Sequence, residues 1–170
     1  MKANFPIEQF RKLETPFYYY DTNLLRETLN KIKEEAGKYN KFCVHYAVKA
    51  NANPKILGII RESGLGADCV SGGEIKAAIK AGFPASKIVY AGVGKTDKEI
   101  NLGLDYDIFL FLTLSLFQNW KSSTKLAAAK NKIARVAFRI NPDVGAHTHA
   151  NTLPDWQKIN SVSVYKTWIV

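Results

Sequence analysis

Cysteine is scarce in this chain, with only Cys43 and Cys69 among 170 residues. Two thiols cannot build the disulfide framework of a small secreted domain, and their spacing fits no metal-binding pattern. Both fall in apolar, strand-like runs, so two buried thiols are expected. Long apolar runs are missing too. Each breaks within a few residues, which excludes a membrane-spanning helix, and no membrane partner is expected. The opening Met1-Lys2-Ala3-Asn4-Phe5-Pro6 has no apolar secretory core, so a cytoplasmic location is expected. His45, His147 and His149 show no ligand spacing tied to carboxylates; they read as packing or loop residues, with no metal site. Acidic residues are the remaining shortage, 15 against 24 lysines and arginines, for a formal charge of +9. Such an excess raises the question of nucleic acid. The lysines are scattered, however, as Lys31, Lys33, Lys38 and Lys41, then Lys76, Lys80 and Lys87, without an aromatic-interleaved basic stripe. A solvated surface is the better reading, with no nucleic-acid partner.

What the chain does have is a globular composition, 46% hydrophobic and 23% charged, and the length for one domain with a core. Residues 15–21 read as a strand ending in a helix cap. Asp21 or Thr22 caps a helix whose apolar face is Leu24, Leu25, Leu29 and Ile32. A regular beat follows. Strand-like stretches at residues 42–48, 66–71, 87–91, 108–111 and 134–140 alternate with helical stretches. One helix is opened by Pro54, one runs from Gly73 to Ala81, and one starts near Thr96. Single helices between strands imply right-handed crossovers and a parallel sheet. An open doubly wound sheet and a (β/α)8 barrel both fit. Since a whole barrel takes about 250 residues, five strands amount to roughly half of one.

The chemistry concentrates in His45-Tyr46-Ala47-Val48-Lys49-Ala50-Asn51, which puts a lysine at the C-terminal end of a strand. A lysine desolvated there loses its proton more readily and can form a Schiff base with an aldehyde cofactor. Taken alone, it reads equally as a strand-end lysine reaching solvent.

Tyr46-Ala47-Val48-Lys49-Ala50-Asn51 is similar to the cofactor-lysine motif of the fold-type III pyridoxal-phosphate decarboxylases, which act on diaminopimelate, ornithine and arginine. Other stretches agree with that family in order: Thr15-Pro16-Phe17-Tyr18-Tyr19-Tyr20-Asp21, Gly66-Ala67-Asp68-Cys69-Val70-Ser71-Gly72-Gly73-Glu74, and Gly92-Val93-Gly94-Lys95-Thr96. Arg139-Ile140-Asn141-Pro142-Asp143-Val144, followed by Thr148-His149, resembles the diaminopimelate branch more than the ornithine branch.

The resemblance implies the first part of a (β/α)8 barrel of the alanine racemase-like type, incomplete at about five strands. It implies pyridoxal 5'-phosphate held by Lys49, with Asp68 and Arg139 at positions lining the pocket. Asp68 could equally be a strand-end cap, and Arg139 a salt-bridged barrel residue. Glu74 reads as a helix-start carboxylate favoured by the dipole. Further implications are an amino-acid substrate, meso-diaminopimelate giving L-lysine, a homodimer in the intact family, and no decarboxylase activity in this stretch by itself. A non-catalytic pyridoxal-phosphate-binding barrel is the alternative, although such proteins should lack the Arg-Ile-Asn-Pro stretch. The expected division is an N-terminal strand region over 1–22, a partial cofactor-binding barrel over 23–151, and an aberrant tail over 152–170.

Two segments depart from the resemblance, residues 112–125 and everything after Asn151, and together they hold Trp120, Trp156 and Trp168. Codons read from each third base permit Thr-Gly-Leu-Ala-Glu-Asn-Lys-Phe-Gly across the second segment, the family's own pattern. The same phase across the first permits Asn-Val-Glu-Ser-Ile-Pro-Glu-Leu-Glu-Val-Ile-Asn-Glu, an acidic amphipathic helix. Two out-of-frame excursions are therefore expected, the first recovering near Leu126. Lys121 and Lys125 give way to glutamates in the shifted phase, so much of the basic excess is a reading-frame product.

Overall fold

The structure, a computed structural model, describes residues 5–39, 42–92, 94–113, 117–140 and 163–169. A short helix, α1 (Ile7–Phe10), precedes α2 (Thr22–Gly37). The alternating part then runs β1 (His45–Ala47), α3 (Pro54–Glu62), β2 (Gly66–Cys69), α4 (Gly72–Lys80), β3 (Ile88–Tyr90), α5 (Asp97–Asp105), β4 (Phe109–Thr113), α6 (Phe117–Ala129) and β5 (Ala134–Ile140). A final strand, β6 (Ser163–Ile169), closes the order. The sheet order follows the chain, β1 to β6, with β1 to β5 parallel and β6 antiparallel to β5.

Local chemistry explains where the helices start. Asp21 accepts hydrogen bonds from the Asn23 and Leu24 backbone N–H groups at 3.1 and 3.0 Å, satisfying donors the first turn of α2 cannot. Asn53 and Pro54 open α3, Ser71 caps α4, and Thr96 with Glu99 forms a capping box on α5. One face of each helix is apolar. Ile56, Leu57 and Ile60 of α3, Ile75 and Ala78 of α4, and Ile100 and Leu104 of α5 are all buried.

They pack on one face of the sheet. Strand alternation turns Ala67 and Cys69, Ile88 and Tyr90, and Ala134 and Val136 into that helix-covered core. The intervening Asp68, Val89 and Arg135 are only half-buried on the opposite face. Each large aliphatic enclosed in this way stabilises the fold by about 1.5–3 kcal/mol.

Four expectations need correction. Residues 15–21 carry no strand among the described residues, because a strand needs a ladder partner and none lies beside them; the Tyr18 ring stacks on Tyr20 instead. Cys43 is exposed, because β1 begins only at His45, and Cys69 alone is buried. Among the described residues the sheet has six strands rather than about five. Its added member comes from the tail read as aberrant, where Val164, Tyr165, Thr167, Trp168 and Ile169 are the β-branched and aromatic types that suit a strand. That strand covers the β5 edge, whose backbone groups would otherwise lie unpaired. The fourth correction concerns Lys49 and belongs to the site.

Candidate functional site

Parallel strands deliver all their C-terminal ends to one edge of the sheet, so the loops after β1, β2 and β3 meet there. After Ala47 the chain tightens into a 3-10 turn, Val48–Ala50. Val48 is fully enclosed and anchors the turn, while the next residue, Lys49, is exposed. The expectation of a desolvated lysine on the strand itself is thus corrected. The turn swings Lys49 off the strand end and out of the core. The turn is well tied: Asn51 N–H donates to Val48 O at 3.1 Å, and the Tyr46 hydroxyl donates to Asn51 O at 3.3 Å. Beyond it, the Asn51 side chain accepts from Asn53 N–H at 2.9 Å, leading the chain into α3.

Asp68 lies on β2, opposite Ala47 on one side and Val89 on the other. Its Oδ1 is enclosed and has no hydrogen-bond partner. Burial raises the carboxyl above its ordinary range; His45, Lys49 and Lys95 pull it back, and Glu74 pushes it further up. Because Ala47 pairs with Asp68, Lys49 lies two residues beyond that partner at the same strand edge, where its charge favours the ionised carboxyl. Arg139 belongs to β5, level with Thr113 of β4 and Val164 of β6. Counting along the ladders puts positions 139 and 68 on the same sheet face, with β3 and β4 between their strands. The Arg139 side chain lies outside the described residues, as do residues 141–151 with His147 and His149.

Glu74 is a structural carboxylate. Its Oε2 accepts from Val70 N–H at 2.9 Å, and its own N–H donates to the capping Ser71 Oγ at 3.3 Å. His45 is half-buried and burial lowers its pKa. Its ring lies so close over Gly66 that a Cβ there would fall 2.3 Å from it.

Sequence reasoning missed Lys95. It is 8% exposed, its Nζ donates to Gly92 O at 2.6 Å, and burial lowers its pKa to about 8. Among the described residues, the lysine that the fold buries is this one. It lies in the family-like stretch Gly92-Val93-Gly94-Lys95-Thr96, but nothing in that stretch singles out its side chain.

A cleft of about 420 Å³ lies at the opposite edge of the sheet, where Val44, His45, Leu65 and Gly66 meet α2, and it plays no part in this site. Among the described residues no group of three or more His, Cys, Asp or Glu could hold a metal ion, and no helix is long and apolar enough to cross a membrane.

Comparison with known proteins agrees with this geometry. Diaminopimelate decarboxylase of Bacteroides thetaiotaomicron is 69% identical over 151 residues, which cover 89% of this chain and 39% of that protein. The Helicobacter pylori enzyme is 43% identical over 142 residues, 84% of this chain and 35% of its own length. The chain thus spans well under half of the curated relatives it matches. A crystal structure of the Helicobacter pylori diaminopimelate decarboxylase complexed with L-lysine superposes with a TM-score of 0.75 at 39% identity, over 85% of this chain and 36% of that one. An arginine decarboxylase from Paramecium bursaria Chlorella virus, at 20% identity and a TM-score of 0.57, shares the fold. The family described as "Pyridoxal-dependent decarboxylase, pyridoxal binding domain" matches residues 23–158. With a match over residues 23–158 and residues 46–51 running from the first strand of its parallel sheet into the turn that follows, the chain belongs to the pyridoxal-dependent decarboxylases, and the part matched is their pyridoxal-binding domain.

Proposed function

We propose that this chain is the cofactor-holding part of a diaminopimelate decarboxylase, with meso-diaminopimelate as substrate and L-lysine as product. The observation that carries the reading is the placement of an exposed lysine, Lys49, at the strand edge of the half-buried carboxyl of Asp68, in a chain 69% identical to one such enzyme over 151 residues. The relative whose structure holds L-lysine supports an amino-acid substrate.

The residues present suit pyridoxal phosphate. Lys49 offers a solvent-facing primary amine, the group an aldehyde requires. Asp68 Oδ1 is a buried acceptor without a donor, so a donor on a bound ligand would satisfy it. Lys49 would hold the cofactor, Asp68 would orient it, and Arg139 would line the pocket further along the same face. When bound, pyridoxal phosphate supplies an electron sink for the pair left by a departing carboxyl group. The protein's share is to fix the amine, set an acceptor beside it, and cover the far face of the sheet with helices.

In this reading the five parallel strands are the first part of a (β/α)8 barrel of the alanine racemase-like type, and residues 23–151 are its domain. A homodimer and a cytoplasmic setting follow from the same reading. Incubation with pyridoxal phosphate, borohydride reduction and mass-spectrometric mapping tests it. The label is expected on Lys49 and is lost in Lys49→Ala; an even spread over surface lysines would refute the assignment. Release of L-lysine from meso-diaminopimelate by the full-length product tests the substrate.

A further inference from the structure

The turn that carries Lys49 is held by three hydrogen bonds that meet at Asn51. Its N–H donates to Val48 O at 3.1 Å, its Oδ1 accepts from Asn53 N–H at 2.9 Å, and its carbonyl accepts from the Tyr46 hydroxyl at 3.3 Å. The first two are local. One closes the turn on itself, and the other leads into α3, where the Asn53 side chain caps the helix by accepting from Lys55 N–H at 2.9 Å. The third ties the turn back to β1.

Strand register places Tyr46 for that task. It pairs with the fully enclosed Ala67, so its ring lies on the helix-covered face and packs against the core. The next residue, Ala47, pairs with Asp68 and faces the other way. A ring set in one face of the sheet thus sends its hydroxyl past the strand end to Asn51, the residue that ends the turn. Val48 is fully enclosed and also anchors the turn, but apolar packing has no direction. A hydrogen bond has one, and it fixes the angle at which the turn leaves the strand. Lys49 is exposed, so the place of its amine at the strand edge of Asp68 depends on where its backbone stands.

We propose that Tyr46 is a positioning residue for Lys49: its hydroxyl clamps the Asn51 carbonyl and holds the Lys49 turn at a fixed angle to β1. The bearing on cofactor attachment rests on the proposed function, but the clamp is a property of the cofactor-free chain and is measured there.

Tyr46→Phe removes the hydroxyl and keeps the ring. In the cofactor-free chain, amide hydrogen exchange at Asn51 and Asn53 is expected to quicken about fivefold, the worth of one net hydrogen bond. Gly66 N–H, which donates to Val44 O at 2.9 Å beside the β1–β2 ladder, keeps its rate. Unchanged exchange at Asn51, or equal quickening at Gly66, overturns the proposal. A second measurement needs no variant. In mixed light and heavy water, the Tyr46 ring carbon that bears the hydroxyl should give two separate NMR signals, because a bonded, half-buried hydroxyl exchanges slowly; one averaged signal also overturns the proposal.

Labelling with pyridoxal phosphate and borohydride tests the bearing on Lys49. At limiting cofactor the yield on Lys49 is expected to fall about fivefold in Tyr46→Phe. It should hold in Ile75→Val, a core change of similar cost on α4. A yield that falls equally in both variants, or in neither, confines Tyr46 to stability and overturns its positioning role. Labelling that misses Lys49 in the unmodified chain refutes the cofactor reading instead, and exchange at Asn51 still decides the clamp.

Discussion

The Glu99 carboxylate on α5 accepts a hydrogen bond of 2.8 Å from the Gly72 N–H at the start of α4, joining two helices across 27 residues of sequence. Its other oxygen takes the Thr96 N–H at 3.1 Å and the Thr96 hydroxyl at 2.8 Å. One carboxylate therefore satisfies donors at the starts of two neighbouring helices. The Gly72 hydrogen bond is the largest cause holding its pKa at about 2, against an ordinary 4.5. A depressed carboxyl contributes stability above its unfolded pKa and loses it as pH falls through its folded one. Stability should therefore fall between about pH 4.5 and 2 in the parent and fall less steeply over that window in Glu99→Gln. At neutral pH the variant should cost about 1 kcal/mol, allowing for solvent screening of a partly exposed group. Urea midpoints across that pH window check both.

Gly66 has no room for a side chain. A Cβ there would fall 2.3 Å from the His45 ring and 2.5 Å from the Lys87 carbonyl, and the carbonyl cannot move without disturbing the start of β3. Gly66→Ala is expected to destabilise the fold by about 1–3 kcal/mol, as overpacking does. A denaturation midpoint equal to that of the parent would show that β1 and β2 do not approach as described.

The two thiols should differ sharply in reactivity. Cys43 is exposed, whereas Cys69 is fully enclosed on β2 and burial pushes its pKa up to about 12. Thiolate is the reactive form. A brief iodoacetamide pulse on the native chain should modify Cys43 alone, and Cys69 should react only after unfolding. Mass spectrometry of the two peptides reads the outcome directly, and equal labelling in the native state would mean that the β2 core face is open.

The alternation of strands and helices was legible because its punctuation is local: Asp21, Pro54 and Thr96 each announce a helix start within a few residues. Lys49 stood out as a candidate through its neighbours in sequence. Lys95 did not, since Tyr90 and Glu99 gather around it only through strand register and helix packing. The exposure of Cys43 was hidden for a related reason. An apolar run says that a strand can form, but the ladder with β2 decides where it begins, and that ladder starts at His45. Residues 15–21 show the reverse error, strand-like composition without a neighbour to pair with.

Ser123 supplies the last prediction. It is fully buried on α6, and its hydroxyl has no hydrogen-bond partner. An enclosed hydroxyl without a partner costs about 1–3 kcal/mol, so Ser123→Ala should raise the stability of the chain by about 1 kcal/mol. A residue so ill-suited to its place falls inside the segment 112–125 whose codons, read out of phase, give an acidic amphipathic helix. The shifted string ends in Glu immediately before Leu126. Counting back from there puts Glu at 125, Asn at 124 and Ile at 123. The apolar residue thus falls on the buried position, one turn before the buried Ala127, and the glutamate on exposed position 125. Burial was no part of the codon argument, so the agreement is independent support for the shifted phase. Sequencing the gene from the codon of Phe111 past that of Val170 should find an altered phase across 112–125 and again after Asn151, with Ile at 123. A gene that encodes Ser123 and Trp120 in unbroken phase would sink the reading-frame argument, and would leave the orphaned hydroxyl as a defect of the native helix.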